Sequence, residues 1–352
     1  MKTKYFLKKY GFTKVRFCLI ASLAFLAMLG GCGATSNEKT VSGTAFKADI
    51  SKETSKPDNS HTSDEREDTD TPSGNKERGK ISLSKDKKTI FAHGWLETHE
   101  LADHRTKKAT KIVFGKDAGI LVDWDMDSFC SPHLQNAPLV KEIEVEEGNP
   151  FLYEKDGMLI QRAGADFDLE YTTDRETLIL CVPGKKGKIR IPEGVEDIYT
   201  SAFRGCSGIT SVYLPSSLVA IGDAAFGGME SCTNIQPPKN SKEFFTKNGV
   251  LYLHYSNSRT VLIAYPAGKK DRIFNDAPKN TDCIDAGAFL DATHLQEVYL
   301  PSRMKTIEFG AFGGCKNLRK VIVKNKKRIH ELAGSAFFGC TKLKEHIKDK
   351  YD

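Results

Sequence analysis

Val298-Tyr299-Leu300-Pro301, Ile307, Ala311-Phe312-Gly313-Gly314-Cys315, Leu318 and Val321-Ile322-Val323 span one full period of this 352-residue chain. The period is visible because its parts return. Ala202-Phe203-Arg204-Gly205-Cys206 and Ala336-Phe337-Phe338-Gly339-Cys340 repeat the middle element, and Ala225-Phe226-Gly227-Gly228 and Ala288-Phe289 are partial copies. Phe203 to Phe226 and Phe289 to Phe312 are each 23 residues, and Phe312 to Phe337 is 25. Ile189-Arg190-Ile191-Pro192 and Val212-Tyr213-Leu214-Pro215 repeat the first element on the same beat.

Alternation over three or four residues predicts a short strand with one buried face, and the proline ends it. An apolar residue follows each strand, at Ile198, Ile221 and Ile307, and then the Ala-Phe turn. Leu295 and Leu318 lead into the next strand. A unit of one strand and one compact turn cannot close a core alone. Stacked units bury Phe on Phe and Val on Val in continuous ladders, which is a solenoid. The turn cysteines then read as small buried hydrophobes.

This pattern resembles the BspA-like leucine-rich repeats of bacterial surface antigens, with Ala-Phe-x-Gly-Cys where the general repeat carries its Asn. The resemblance implies a β-rich leucine-rich repeat solenoid of about five to seven units over residues 133–346. Two longer elements fit it as β-hairpin excursions. Asp156-Gly157 and Asn248-Gly249 are hairpin turn pairs, and Gly157 and Gly249 lie 92 residues apart, four times 23. Apolar runs ending in Val182-Pro183-Gly184 and Tyr265-Pro266-Ala267-Gly268 follow each. Lys111-Ile112-Val113-Phe114 and Ile120-Leu121-Val122 look like strands within a degenerate N-terminal capping region, 81–132, and 347–352 is a C-terminal tail.

The N-terminus carries a different message. Six basic residues, Lys2 to Arg16, precede the 13-residue apolar run Phe17 to Leu29. A bilayer span needs roughly 20 residues, so the run suits a secretory h-region. Leu29-Gly30-Gly31-Cys32 resembles the bacterial lipobox. That resemblance implies a signal peptide over 1–31, cleavage before Cys32, and lipid (palmitate) on its thiol. Residues 32–80 then hold the lipidated cysteine and a polar tether, too poor in apolar residues to fold. As a coil it reaches about 40 Å. Gly33 stands where an Asp would retain a lipoprotein at the inner membrane, which points to the outer membrane or cell surface. Removing the signal takes six positive charges from a net of +6, so the mature chain is formally neutral. Its charge therefore gives no reason to expect a nucleic-acid partner.

Seven cysteines remain beyond the signal and Cys32, at 130, 181, 206, 232, 283, 315 and 340. An odd number excludes a complete disulfide framework, although export would permit bridges. No CxxC pair offers a zinc ribbon. His99-Glu100-Leu101-Ala102-Asp103-His104 differs from the zincin motif, whose histidines must lie four apart on one helical face. Here they lie five apart, turning the second away by about 100°. His93, His99 and His104 are the chain's one histidine cluster. No catalytic constellation, metal site or cofactor is expected, and a metal-dependent hydrolase at this segment is the remote alternative.

What remains is a surface. Residues between the buried strand positions point outward, namely Glu144, Arg190, Tyr213, Tyr299 and Ile322. Tyr and Arg are common interface anchors, and they also tile solvent-facing sheets. The expectation is a lipid-anchored, cell-surface binding protein, not an enzyme, that recognises a host or microbial protein, or adheres to one. A periplasm- or wall-facing structural envelope protein using the same surface is the alternative.

Overall fold

The computed structural model describes residues 78–101, 105–121, 134, 137–164, 175–256 and 259–344. The expected signal peptide, Cys32, the tether up to residue 77, His104, Cys130 and the 347–352 tail lie outside the described residues. No α-helix occurs among the described residues. The two short helical turns, Thr98–Leu101 and Lys326–Arg328, are 3-10.

Short strands stack in parallel, one per period, as the alternation requires. Thr89–His93, Lys111–Phe114 and Glu142–Val145 form the first group, in the register Ile90↔Ile112↔Ile143. Lys186–Arg190, Gly208–Tyr213 and Asn234–Gln236 form the second, Ile189↔Val212↔Ile235. Ile273–Phe274, Glu297–Leu300 and Lys320–Val323 form the third, Phe274↔Val298↔Val321. These nine inward residues are each at most 6% exposed. The solenoid thus has about nine turns: seven of these strands lie within 133–346, where five to seven units are expected, and Thr89–His93 and Lys111–Phe114 add two from the 81–132 stretch. Lys80–Leu83 pairs antiparallel with Thr89–His93 and ends this sheet.

A second, opposing sheet runs through the apolar residue after each strand. Asp197–Ile198 pairs with Ala220–Ile221, and Thr281–Ile284, Thr306–Ile307 and Glu331–Leu332 pair in sequence. Between the two sheets lies the Ala-Phe turn, and here the Phe rings stack. Phe203 and Phe226 lie 5.4 Å apart, Phe289 and Phe312 4.8 Å, and Phe312 and Phe337 5.2 Å. The turns also hydrogen-bond from rung to rung, as Phe312 N–H does to Ala336 O at 2.8 Å. The glycine of Ala-Phe-x-Gly has a backbone reason. Gly205, Gly314 and Gly339 have φ of 85°, 68° and 72°, the left-handed region that costs a side chain but not glycine.

Both expected hairpins are present. Leu152–Lys155 pairs with Met158–Gln161, and Phe244–Lys247 with Val250–Ser256. Asp156, Gly157, Asn248 and Gly249 all have positive φ, as a type I′ turn demands. The hairpins do not leave the fold. Thr177–Cys181 and Arg259–Ala264 extend them and join the opposing sheet beside Asp197–Ile198 and Thr281–Ile284.

Each hairpin therefore interrupts the strand-bearing face and the Phe ladder, which divide into segments instead of running continuously. The Pro-Gly turns restore the stack. Gly184 N–H donates to Val140 O at 3.0 Å, and Gly268 N–H to Cys232 O at 2.8 Å. A Cβ at either glycine would sit 2.5 Å from the preceding rung, so the chain can return this closely only without one. Tyr265 then restarts the ladder, 5.1 Å from Phe289.

Candidate functional site: the outward face of the strands

The five outward residues lie on the solvent side of their strands, since their neighbours at 143, 189, 212, 298 and 321 fill the core. The structure brings them together in two pairs and leaves one apart. Arg190 and Tyr213 are direct register partners, and the guanidinium carbon sits 4.2 Å from the Tyr213 ring centroid. This cation–π contact holds two long side chains in one geometry. Gln236 continues the row next to Tyr213. Tyr299 and Ile322 are register partners in the third group. The Tyr299 hydroxyl donates to Glu297 at 2.6 Å, which raises its pKa above the ordinary phenol value.

Glu144 belongs to the first group, and it is already engaged. Lys111 Nζ lies 2.5 Å from Glu144 and 2.9 Å from Glu142, so the three form a cross-strand cluster. Its row continues through Val113 to Phe91, which is 36% exposed. Phe91 and Val113 fall in the 81–132 stretch, which the sequence casts as a cap and not as part of the strand face. The alternation Ile90-Phe91-Ala92 was the signal that could have found them.

A shallow depression of about 270 Å³ borders the Arg190–Tyr213 pair. Lys155 and Asp156 from the first hairpin turn, with Glu193, supply its charged lining. The hairpin thus brings polar groups beside an aromatic residue 57 positions away in the chain. Chemically, this is a fixed apolar ring surrounded by both signs of charge, an arrangement suited to recognition.

The histidine segment has other work. His93 Nδ1 lies 3.1 Å from Asp117, and His99 Nδ1 lies 3.0 Å from Glu97. Glu100 accepts the Glu97 N–H at 2.8 Å, which caps the 3-10 turn, and pairs with Arg78 at 3.4 Å. Among the described residues no group of three His, Cys, Asp or Glu side chains is arranged to hold a metal.

All six described cysteines are free thiols, and five are buried. Burial pushes Cys283 and Cys315 up and takes Cys232 to about 11. A hydrogen bond with Cys181, then burial, raises Cys206. Half-buried Cys340 differs, because its hydrogen bond with Cys315 lowers it. Since the thiolate is the nucleophile, Cys340 should react with a maleimide before the other five under native conditions at mild alkaline pH. Peptide mapping showing Cys206 or Cys315 modified as fast as Cys340 would contradict this packing.

Opposed parallel strand ladders, a Phe ladder and one short turn per rung define a leucine-rich repeat solenoid. Residues 185–252 and 274–349 match the family described as BspA type Leucine rich repeat region, in six copies. The chain carries BspA-type leucine-rich repeats. No curated protein matches it. Solved structures that it resembles include a leucine rich cell surface protein from Faecalibacterium prausnitzii, at 20% identity, covering 75% of this chain and 79% of that one, TM-score 0.41. A leucine-rich repeat protein from Eubacterium ventriosum is 18% identical over 75% and 80%, TM-score 0.39. The pneumococcal vaccine antigen PcpA is 18% identical over 67% and 61%, TM-score 0.36.

Proposed function

We propose that this protein is a lipid-anchored binding module of the bacterial surface that recognises a protein through the outward face of its strands. The observation that carries the reading is the Arg190–Tyr213 pair with its charged surround. Aromatic and Arg side chains held in place, with little rotamer entropy left to lose, are what interface hot spots use. Tyr299 and Ile322 add a second pair on the outward side of the third strand group. The Leu29-Gly30-Gly31-Cys32 sequence supports the anchor, and the polar stretch after it supports a spacer between the anchor and the solenoid.

Two measurements test the parts separately. Cells fed labelled palmitate should incorporate it into this protein, and Cys32→Ser should abolish the label. Protease added to intact cells should remove the solenoid while a periplasmic marker survives. Protection until the outer barrier is opened would sink the surface reading and favour a resident envelope partner instead. Binding to host or microbial proteins should then fall at least tenfold in Tyr213→Ala, consistent with loss of about 2 kcal/mol at a hot spot.

A further inference from the structure

Residues 303–344 hold 11 Lys and Arg against two acidic residues, Glu308 and Glu331, in a mature chain whose remaining residues carry an excess of acidic groups. The fold concentrates these charges. The 3-10 turn Lys326–Arg328 has no buried residue, and it stacks on the turn before it, where His330 N–H donates to Lys305 O at 2.9 Å. Arg303, Lys324, Lys327 and Arg328 are therefore exposed on adjacent rungs along one edge.

Among the described residues, none of these four forms an ion pair, and Lys305 is paired only with Asp282, at 3.7 Å. Earlier rungs tie the same edge together differently. There Ser216 N–H and Oγ both donate to Glu193, at 3.0 and 2.7 Å, and Gly194 N–H donates to Ser217. At the C-terminal end like charges replace those hydrogen bonds, one rung spacing apart. Such crowding is unfavourable unless an anion is brought to it.

We propose that this basic edge docks on the anionic phospholipid headgroups of the membrane that carries the protein. Which membrane it meets rests on the lipid-anchor reading above; the charge argument does not. The apolar residues among the bases, Met304, Val323 and Ile329, are all buried. The edge therefore offers charge without the apolar anchors that a protein interface needs. Its cations are mostly Lys, the flexible point charge suited to a plane of phosphates rather than to a shaped site. One lipid anchor and one basic edge would together hold the solenoid close to the bilayer.

The test uses the chain from residue 32 with Cys32→Ser, so that lipidation plays no part. It should float with vesicles of phosphatidylcholine and phosphatidylglycerol, but not with phosphatidylcholine alone, and should be released by high salt. Lys326→Glu/Lys327→Glu/Arg328→Glu should bind the mixed vesicles at least about tenfold more weakly, while Lys186→Glu/Lys188→Glu should bind normally. Unchanged melting of both variants shows that the fold is intact. Equal binding to neutral vesicles, or an unaffected triple variant, overturns the proposal. So does retention on a soluble polyanion such as polyphosphate without binding to mixed vesicles, which would assign the edge to a polymer. None of these outcomes depends on whether Cys32 is acylated in cells.

Discussion

Phe312→Ala should destabilise the protein by about 3–5 kcal/mol, the usual cost of removing a fully buried aromatic side chain. Phe312 is 0% exposed, and its ring is sandwiched between Phe289 at 4.8 Å and Phe337 at 5.2 Å. Both stacked contacts are lost at once, each worth about 0.5–1.5 kcal/mol beyond buried area. At roughly 2–4 °C per kcal/mol for a domain of this size, melting should fall by about 6–20 °C. The loss should also be uneven. A solenoid rung is held only by its neighbours, so the rungs after Phe312 should open before those around Phe203. Hydrogen exchange would show this as early loss of protection over 320–344 with the 186–213 strands still protected. A uniform loss of protection would mean that the stack unfolds as one unit and the ladder does not set local stability.

Arg259→Met should cost about 3 kcal/mol by a different mechanism. The Asp282 side chain is 1% exposed and depends on Arg259 Nε at 2.9 Å, with Lys305 more distant at 3.7 Å. Its Oδ1 has no hydrogen-bond partner among the described residues. Removing one member of a buried pair leaves an uncompensated charge, which typically costs 3–5 kcal/mol, and the remaining Lys305 puts this case at the lower end. The double variant Arg259→Met/Asp282→Leu should recover most of the loss, because two apolar groups need no partner. Denaturant titration of the cycle checks both statements. A single variant within about 0.5 kcal/mol of wild type would show the pair to be peripheral. The first hairpin repeats the device, with Arg175 Nη1 3.4 Å from a fully buried Asp197.

Of the outward face, much was legible beforehand and its grouping was not. Alternation around Ile189, Val212, Val298 and Val321 places Arg190, Tyr213, Tyr299 and Ile322 outward, because side chains alternate strictly along a strand. The sequence could not say that Arg190 would stack on Tyr213, since that depends on the 23-residue register. Nor could it say that Lys155, Asp156 and Glu193 would join them, since that depends on where the hairpin turn comes to rest. Glu144 was legible as outward and not as already paired with Lys111, which comes from the neighbouring rung.

By itself the sequence determined the solenoid, its period, its two hairpins and the burial of five of the six described cysteines. These follow from local chemistry: residue alternation, turn pairs such as Asn248-Gly249, and glycines where the backbone must turn left-handed. Only the tertiary structure decided how the ladders are divided, why Gly184 and Gly268 must lack a side chain, and where the charges gather. Those are contacts between rungs. Leu290, for example, packs over Gly227 and Gly313 from neighbouring rungs, with Phe338 beyond. Such alternation of large and small residues has meaning only once the rungs are stacked, because the space each side chain fills belongs to another rung.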